Sequence, residues 1–218
     1  IMLKSFHFNS PDELISNTYV FGNEGRGCYI IDLGKFDSRI EKYINEHHNG
    51  IIYAIILTHG HFDHISGIKT VLDKGYNPVL FISSEEEEFL ENTRLNCSSM
   101  YKEEITLNYG NKILVDDEDE IDFKDGYVLK VIQTSGHTRG SVCYLVNKEN
   151  ALFSGDTLFK DGIGRTDLPT GSIKEMRKSL EKLSKLDPNL VVYPGHGDPT
   201  TIKSEFKNIG GNLWTLQN

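Results

Sequence analysis

Four apolar runs in this chain each lead into a short motif of metal-ligand side chains, and that repetition limits the fold more than any other feature. IleIleTyrAlaIleIleLeuThr runs into His59, His61, Asp63 and His64 of THGHFDHISG, and ValIleGlnThr ends just before His137 in SGHTRGS. AlaLeuPheSerGly ends at Asp156 in FSGDTLF, and LeuValValTyrPro ends just before His196 in YPGHGDP. Short runs rich in β-branched and aromatic residues read as strands. Loops at strand ends are fixed by the sheet, while their side chains stay free to converge on a ligand. The fold must therefore bring four strand ends to one rim.

The residue types point to metal chemistry. Neutral imidazole and carboxylate suit zinc, iron and manganese, and a catalytic site keeps one coordination position open for water. Five of the eight histidines fall in these motifs. A histidine alone near a strand end reads as a hydrogen-bonded core or turn residue, and Asp63 alone reads as a cap for the helix begun by IleSerGlyIleLys. Seven such residues in four motifs outweigh those readings.

At 218 residues with 38% hydrophobic side chains, the chain is long enough to bury a substantial core, and we read residues 1–218 as one domain. The net charge of −9 lacks the basic stripe that a general nucleic-acid binder needs. Cys28, Cys97 and Cys143 are scattered, odd in number and show no CxxC spacing, which argues against a disulfide framework or a thiolate-zinc site and fits a reducing cytoplasm. No apolar run approaches a membrane span, and no leader pattern opens the sequence. Oligomeric state is not legible.

Periodicity predicts strands near 3–8, 18–22, 28–33 and 51–58, with a helix near 37–48 presenting Ile40, Tyr43 and Ile44 on one face. A second helix is expected near 65–75, stopping at Gly75. Residues 84–92 read as a short acidic helix whose charge run is a solvated face. Residues 93–119 are weakly patterned and read as a mobile cover. Strands are predicted near 120–124, 127–133, 142–147, 151–155 and 190–194, with helices near 172–185 and 201–208. Cys143 sits in a strand-like alternation and reads as a packed thiol.

THGHFDH, GHTRGS, GDTLF and PGHG, in this order and spacing, resemble the metallo-β-lactamase-fold hydrolases over nearly the whole chain. GDTLFKDGIGRTDLPTGS and YPGHGDPTTI resemble the compact bacterial glyoxalase II-like (hydroxyacylglutathione hydrolase-like) members. The resemblance implies an α/β, four-layer αββα sandwich. It also implies His59, His61 and His137 on one metal, Asp63, His64 and His196 on a second, and Asp156 between them. Two divalent ions are expected, zinc first, with iron or manganese also compatible with these donors.

The implied reaction is hydrolysis of a small-molecule thioester of the hydroxyacylglutathione type by a metal-bridging hydroxide, with Asp63 and Asp156 as the catalytic carboxylates. Two divalent ions against Asp63, Asp156 and a hydroxide leave the site near roughly +1, so an anionic substrate is admissible. Arg165 stands where glyoxalase II enzymes place a basic substrate-binding residue, with Lys160 as a helper; an Arg165–Asp167 ion pair is the competing reading. Full-length members carry a tyrosine two positions after the last ligand histidine, where this chain has Asp198, and a glutathione-gripping helical domain without counterpart here. The preferred thiol and acyl group therefore stay open. Alternatives are a mononuclear-iron persulfide dioxygenase, which resembles the chain in its HxHxDH and GRTD motifs, and a metal-dependent binding module without turnover. A secreted β-lactamase fits the GIGRTD loop and the cysteine pattern less well.

Overall fold

The computed structural model describes residues 2–8, 14–101, 103–148 and 150–209. The chain divides into two compact units, residues 1–116 and 117–218.

In the first unit, β1 (Met2–Phe6), β2 (Thr18–Gly22), β3 (Cys28–Ile31), β4 (Ile52–Ile56), β5 (Val79–Ser83) and β6 (Lys112–Val115) form one sheet in chain order. β1 to β3 are antiparallel, and β3 to β6 are parallel. Parallel neighbours require crossovers. Helices α1 (Ser38–His47) and α2 (Phe62–Asp73) provide the first two. Asp37 caps α1 by accepting the N–H groups of Arg39 and Ile40, satisfying donors that have no partner inside the helix. Ile40 and Ile44 of α1, with Ile65, Ile68 and Val71 of α2, pack on Val20, Ile30, Ile55 and Leu80 of the sheet. Each such fully buried aliphatic side chain contributes about 1.5–3 kcal/mol.

Three expectations are corrected here. Helix α2 starts at Phe62, three residues before the predicted position, so Asp63 lies inside the first turn; His61 is the N-cap residue. A carboxylate there complements the positive end of the helix. Residues Ser84–Leu90 form a 3-10 helix, and its acidic run is not wholly solvated, because Glu86 is 0% exposed. Within residues 93–119 the strand β6 was not predicted. Its Ile113 and Leu114 are both exposed, so no face shows the alternation that marks a half-buried strand.

In the second unit, the strands are β7 (Glu120–Asp122), β8 (Val128–Gln133), β9 (Val142–Val146), β10 (Ala151–Gly155), β11 (Leu158–Phe159), β12 (Gly162–Ile163), β13 (Val191–Pro194) and β14 (Thr200–Thr201). The main sheet has the order β14-β13-β10-β9-β8-β7, while β11 and β12 make a separate hairpin. Only the β10–β13 pair in this sheet is parallel. Its crossover contains α3 (Ile173–Leu183), and α4 (Ile202–Ile209) follows β14. Met176, Leu180 and Leu183 of α3 pack on Ile132, Leu152 and Val192.

Two β-sheets flanked by helices make the mixed α/β class that the sequence predicts. Among the described residues, no helix is long and apolar enough to cross a membrane.

Candidate metal centre

In the first unit, β4 ends at Ile56 and leads through Leu57 and Thr58 to His59. Asp32, just past β3, organises this loop. It accepts the Thr58 N–H on Oδ1 and the Thr58 hydroxyl on Oδ2, each at 2.8 Å, and the His64 Nδ1–H on Oδ2 at 2.9 Å. Asp32 is 1% exposed and holds a left-handed φ of 51°, a conformation that aspartate tolerates better than most residues.

Proton accounting then fixes the histidine tautomers. The Thr58 hydroxyl spends its single proton on Asp32, so at 3.2 Å from His59 Nδ1 it acts as acceptor. The lone pair of His59 is therefore on Nε2. His64 donates through Nδ1 to Asp32, which likewise leaves its lone pair on Nε2. His59 Nε2 lies 3.2 Å from His61 Nδ1. Two imidazole nitrogens bound to one tetrahedral ion at about 2.0–2.1 Å would be about 3.3 Å apart. Asp63 Oδ2 lies 3.8 Å from His64 Nε2. His59, His61, Asp63 and His64 are all buried.

In the second unit, His137 donates through Nδ1 to the Arg165 carbonyl at 2.8 Å, which again leaves the lone pair on Nε2. Asp156 follows β10 directly, and His196 follows β13 by two residues. Because β10 and β13 are parallel neighbours, and Gly195 N–H donates to the Gly155 carbonyl at 2.8 Å, the two loops leave the sheet side by side. Asp156 Oδ2 consequently lies 3.6 Å from His137 Nε2 and 3.7 Å from His196 Nε2. The backbone of Asp156 is also closely covered, since a Cβ on Gly164 would come within 1.7 Å of the Asp156 carbonyl oxygen. Only glycine fits at Gly164.

The donor set fits divalent metal ions. Three histidines hold one ring nitrogen on a hydroxyl, carboxylate or carbonyl group, which orients the opposite nitrogen as a ligand. Asp32 is the supporting residue that the sequence reading missed; an aspartate closing an apolar strand run, as in CysTyrIleIleAsp, was the signal available.

The predicted substrate residues are engaged in surface ion pairs. Arg165 donates through Nε and Nη2 to both carboxylate oxygens of Asp167 at 2.7 Å. Its guanidinium holds the Asp167 carboxyl down to about 2. Lys160 Nζ donates to Asp198 Oδ2 at 3.2 Å. Cys143 is 0% exposed, and burial pushes its thiol up to about 11, in keeping with a packed side chain and not a nucleophile.

Comparisons with known proteins agree with this chemistry. The Metallo-beta-lactamase superfamily model matches residues 11–196. The chain is 36% identical over 181 residues to the probable metallo-hydrolase YqgX of Bacillus subtilis, covering 82% of this chain and 83% of that protein. It is 28% identical to the hydroxyacylglutathione hydrolase GloC of Haemophilus influenzae, covering 88% and 90% of the two chains. The crystal structure of BLEG-1 B3 metallo-beta-lactamase superposes with a TM-score of 0.85 at 32% identity, covering 100% of both chains. With its strand-end histidines and aspartates and a family match over most of its length, the chain belongs to the metallo-β-lactamase superfamily of metal-dependent hydrolases.

Proposed function

We propose that this protein is a two-metal thioester hydrolase, acting on a small anionic thioester of the hydroxyacylglutathione type. The observation that carries the reading is Asp156 Oδ2 placed almost equally, at 3.6 and 3.7 Å, from the Nε2 atoms of two histidines. A single carboxylate oxygen so placed suits a group shared by two cations. GloC, whose name carries the thioesterase activity, supports the substrate class.

We assign His59, His61 and His137 to one metal ion, Asp63, His64 and His196 to the other, and Asp156 to both. Two divalent ions, zinc by our assignment, supply Lewis acidity that polarises a carbonyl and lowers the pKa of water. The imidazoles of His59, His64 and His137 are held by Thr58, Asp32 and the Arg165 carbonyl, so they need no reorientation during turnover. Asp63 orients the attacking water and holds its proton through a carboxylate oxygen. Arg165, released from Asp167, binds a substrate carboxylate, and Lys160 supports it from the β11–β12 hairpin. Among the described residues no disulfide joins Cys28, Cys97 or Cys143, which is compatible with the cytoplasmic location we assign.

Lactam hydrolysis is the second reading, favoured by the similarity to BLEG-1. Elemental analysis of the purified protein, with a panel of S-lactoylglutathione, simpler acyl thioesters and a cephalosporin, decides between them. About two metal ions per chain and thioester cleavage lost on chelation are expected. Cleavage of the cephalosporin alone, or thioester cleavage no faster than in the metal-stripped protein, would overturn the thioesterase.

A further inference from the structure

Glu86 lies in the middle of the acidic run, yet it is buried while Glu85 and Glu88 are exposed. The helix type explains this. With three residues per turn, side chains at i and i+3 eclipse, so Glu86 and Phe89 share the inner face of the Ser84–Leu90 turn. Phe89 is also 0% exposed. Burying a carboxyl group costs several kcal/mol unless it finds polar partners. One partner is the backbone N–H of Gly60, which donates to Glu86 Oε2 at 2.9 Å. Gly60 is the residue between His59 and His61.

The same segment holds the next alternate N–H of the loop. Phe62 N–H donates to the Asn96 carbonyl at 2.9 Å. The Asn96 amide in turn donates to the carbonyls of Phe89 and Ile105, each at 2.9 Å, and accepts the Ser98 N–H at 2.9 Å. Backbone groups 60 and 62 thus face the 84–98 segment, while residues 59, 61 and 63 carry the ligand side chains. Phe89 sets the spacing, since a Cβ on Gly60 would meet the Phe89 Cβ at 2.6 Å.

We propose that Glu86 is a positioning residue for the metal site: by fixing the Gly60 amide it sets the separation of the His59 and His61 nitrogens. Glu86 is no ligand and acts through the backbone of the loop. This rests on the metal-site reading above.

The test pairs two substitutions. Glu86→Gln keeps the side-chain length and an oxygen within reach of Gly60 N–H, and Glu86→Asp keeps the carboxyl group but shortens the side chain by one methylene. Metal affinity is measured by chelator competition, and ligand geometry by the visible absorption bands of the cobalt-loaded protein. Far-UV circular dichroism monitors folding. Glu86→Asp is expected to remain folded, to lose 10–100-fold in metal affinity and to shift the cobalt bands; Glu86→Gln is expected to stay within about threefold of the parent. An aspartate variant with parental affinity and spectrum overturns the proposal, as does a glutamine variant damaged equally. An unfolded aspartate variant would make Glu86 a residue of the fold and also overturns it. Failure of the parent protein itself to bind cobalt would sink the metal site, and this proposal with it.

Discussion

His64 donates from Nδ1 to the Asp32 carboxylate at 2.9 Å, with both side chains buried to 1% exposure or less. Among the described residues Asp32 takes three donors, two of them from Thr58. An asparagine would turn an NH2 group toward at least one of these donors. Asp32→Asn is therefore expected to cost about 1–3 kcal/mol in stability and to lower metal affinity about 10–100-fold. Thermal unfolding and elemental analysis after dialysis are the checks, and parental metal content would remove Asp32 from the site.

Asp156 occupies the position that the two-metal reading needs most. Asp156→Ala removes a partly buried carboxylate without opening an apolar core, so the fold should persist. Turnover should fall by about 100-fold or more, with loss of bound metal. Steady-state kinetics beside circular dichroism read both effects, and equal activity would contradict the assignment.

Arg165 contributes twice, through its carbonyl to His137 and through its guanidinium to Asp167. Any residue at 165 keeps the first contact. Arg165→Ala should therefore leave metal content and the unfolding midpoint unchanged while raising KM for an anionic thioester about tenfold. Asp167→Asn should lower KM by freeing the guanidinium. The Arg165 side chain keeps the Asp167 carboxyl near 2, so this tether does not change between pH 5 and pH 8. A pH-independent ratio of KM values for the Asp167→Asn and parent proteins over that range is the expected signature.

His48 gives the first unit an acid sensitivity of its own. Burial lowers its pKa from the ordinary 6.5, against the opposing hydrogen bond to the Arg26 carbonyl. The folded state thus favours the neutral ring, while the unfolded chain takes up a proton below about pH 6.5. The stability contributed is present above that pH and is lost as pH falls through the depressed folded value. Urea midpoints measured from pH 7.5 to pH 5 should fall less steeply for His48→Gln than for the parent, and parallel slopes would refute the effect.

The strand-end placement of the histidine and aspartate motifs was legible because each is short, local and preceded by a β-branched run, as ValValTyrPro before His196 shows. The α1 face was legible from helical period alone, with Ile40 and Ile44 fully buried, whereas α3 was legible as a helix and its buried Met176, Leu180 and Leu183 face was not named in advance. Glu86 was misread because a charge run signals solvent at the level of composition, whereas its burial depends on a three-residue turn meeting the Gly60 amide. β6 was missed because an edge strand exposed on successive residues has no alternation. Asp32 was missed because its partners, Thr58 and His64, lie 26 and 32 residues away in sequence.

The parallel pairing of β10 with β13 has a further consequence. Asp156 and His196 are registered by main-chain contacts at Gly155, Pro194 and Gly195, whereas the hairpin carrying Lys160, the Arg165 loop and α3 form an excursion between them. The excursion is itself tied to the site, since Gly164 lies against the Asp156 carbonyl and the Arg165 carbonyl holds the His137 ring, so a change of length that shifts residues 164 and 165 would disturb both side chains. Asp156 is thus clamped from two directions, by strand register on one side and by the loop that folds back over its backbone on the other.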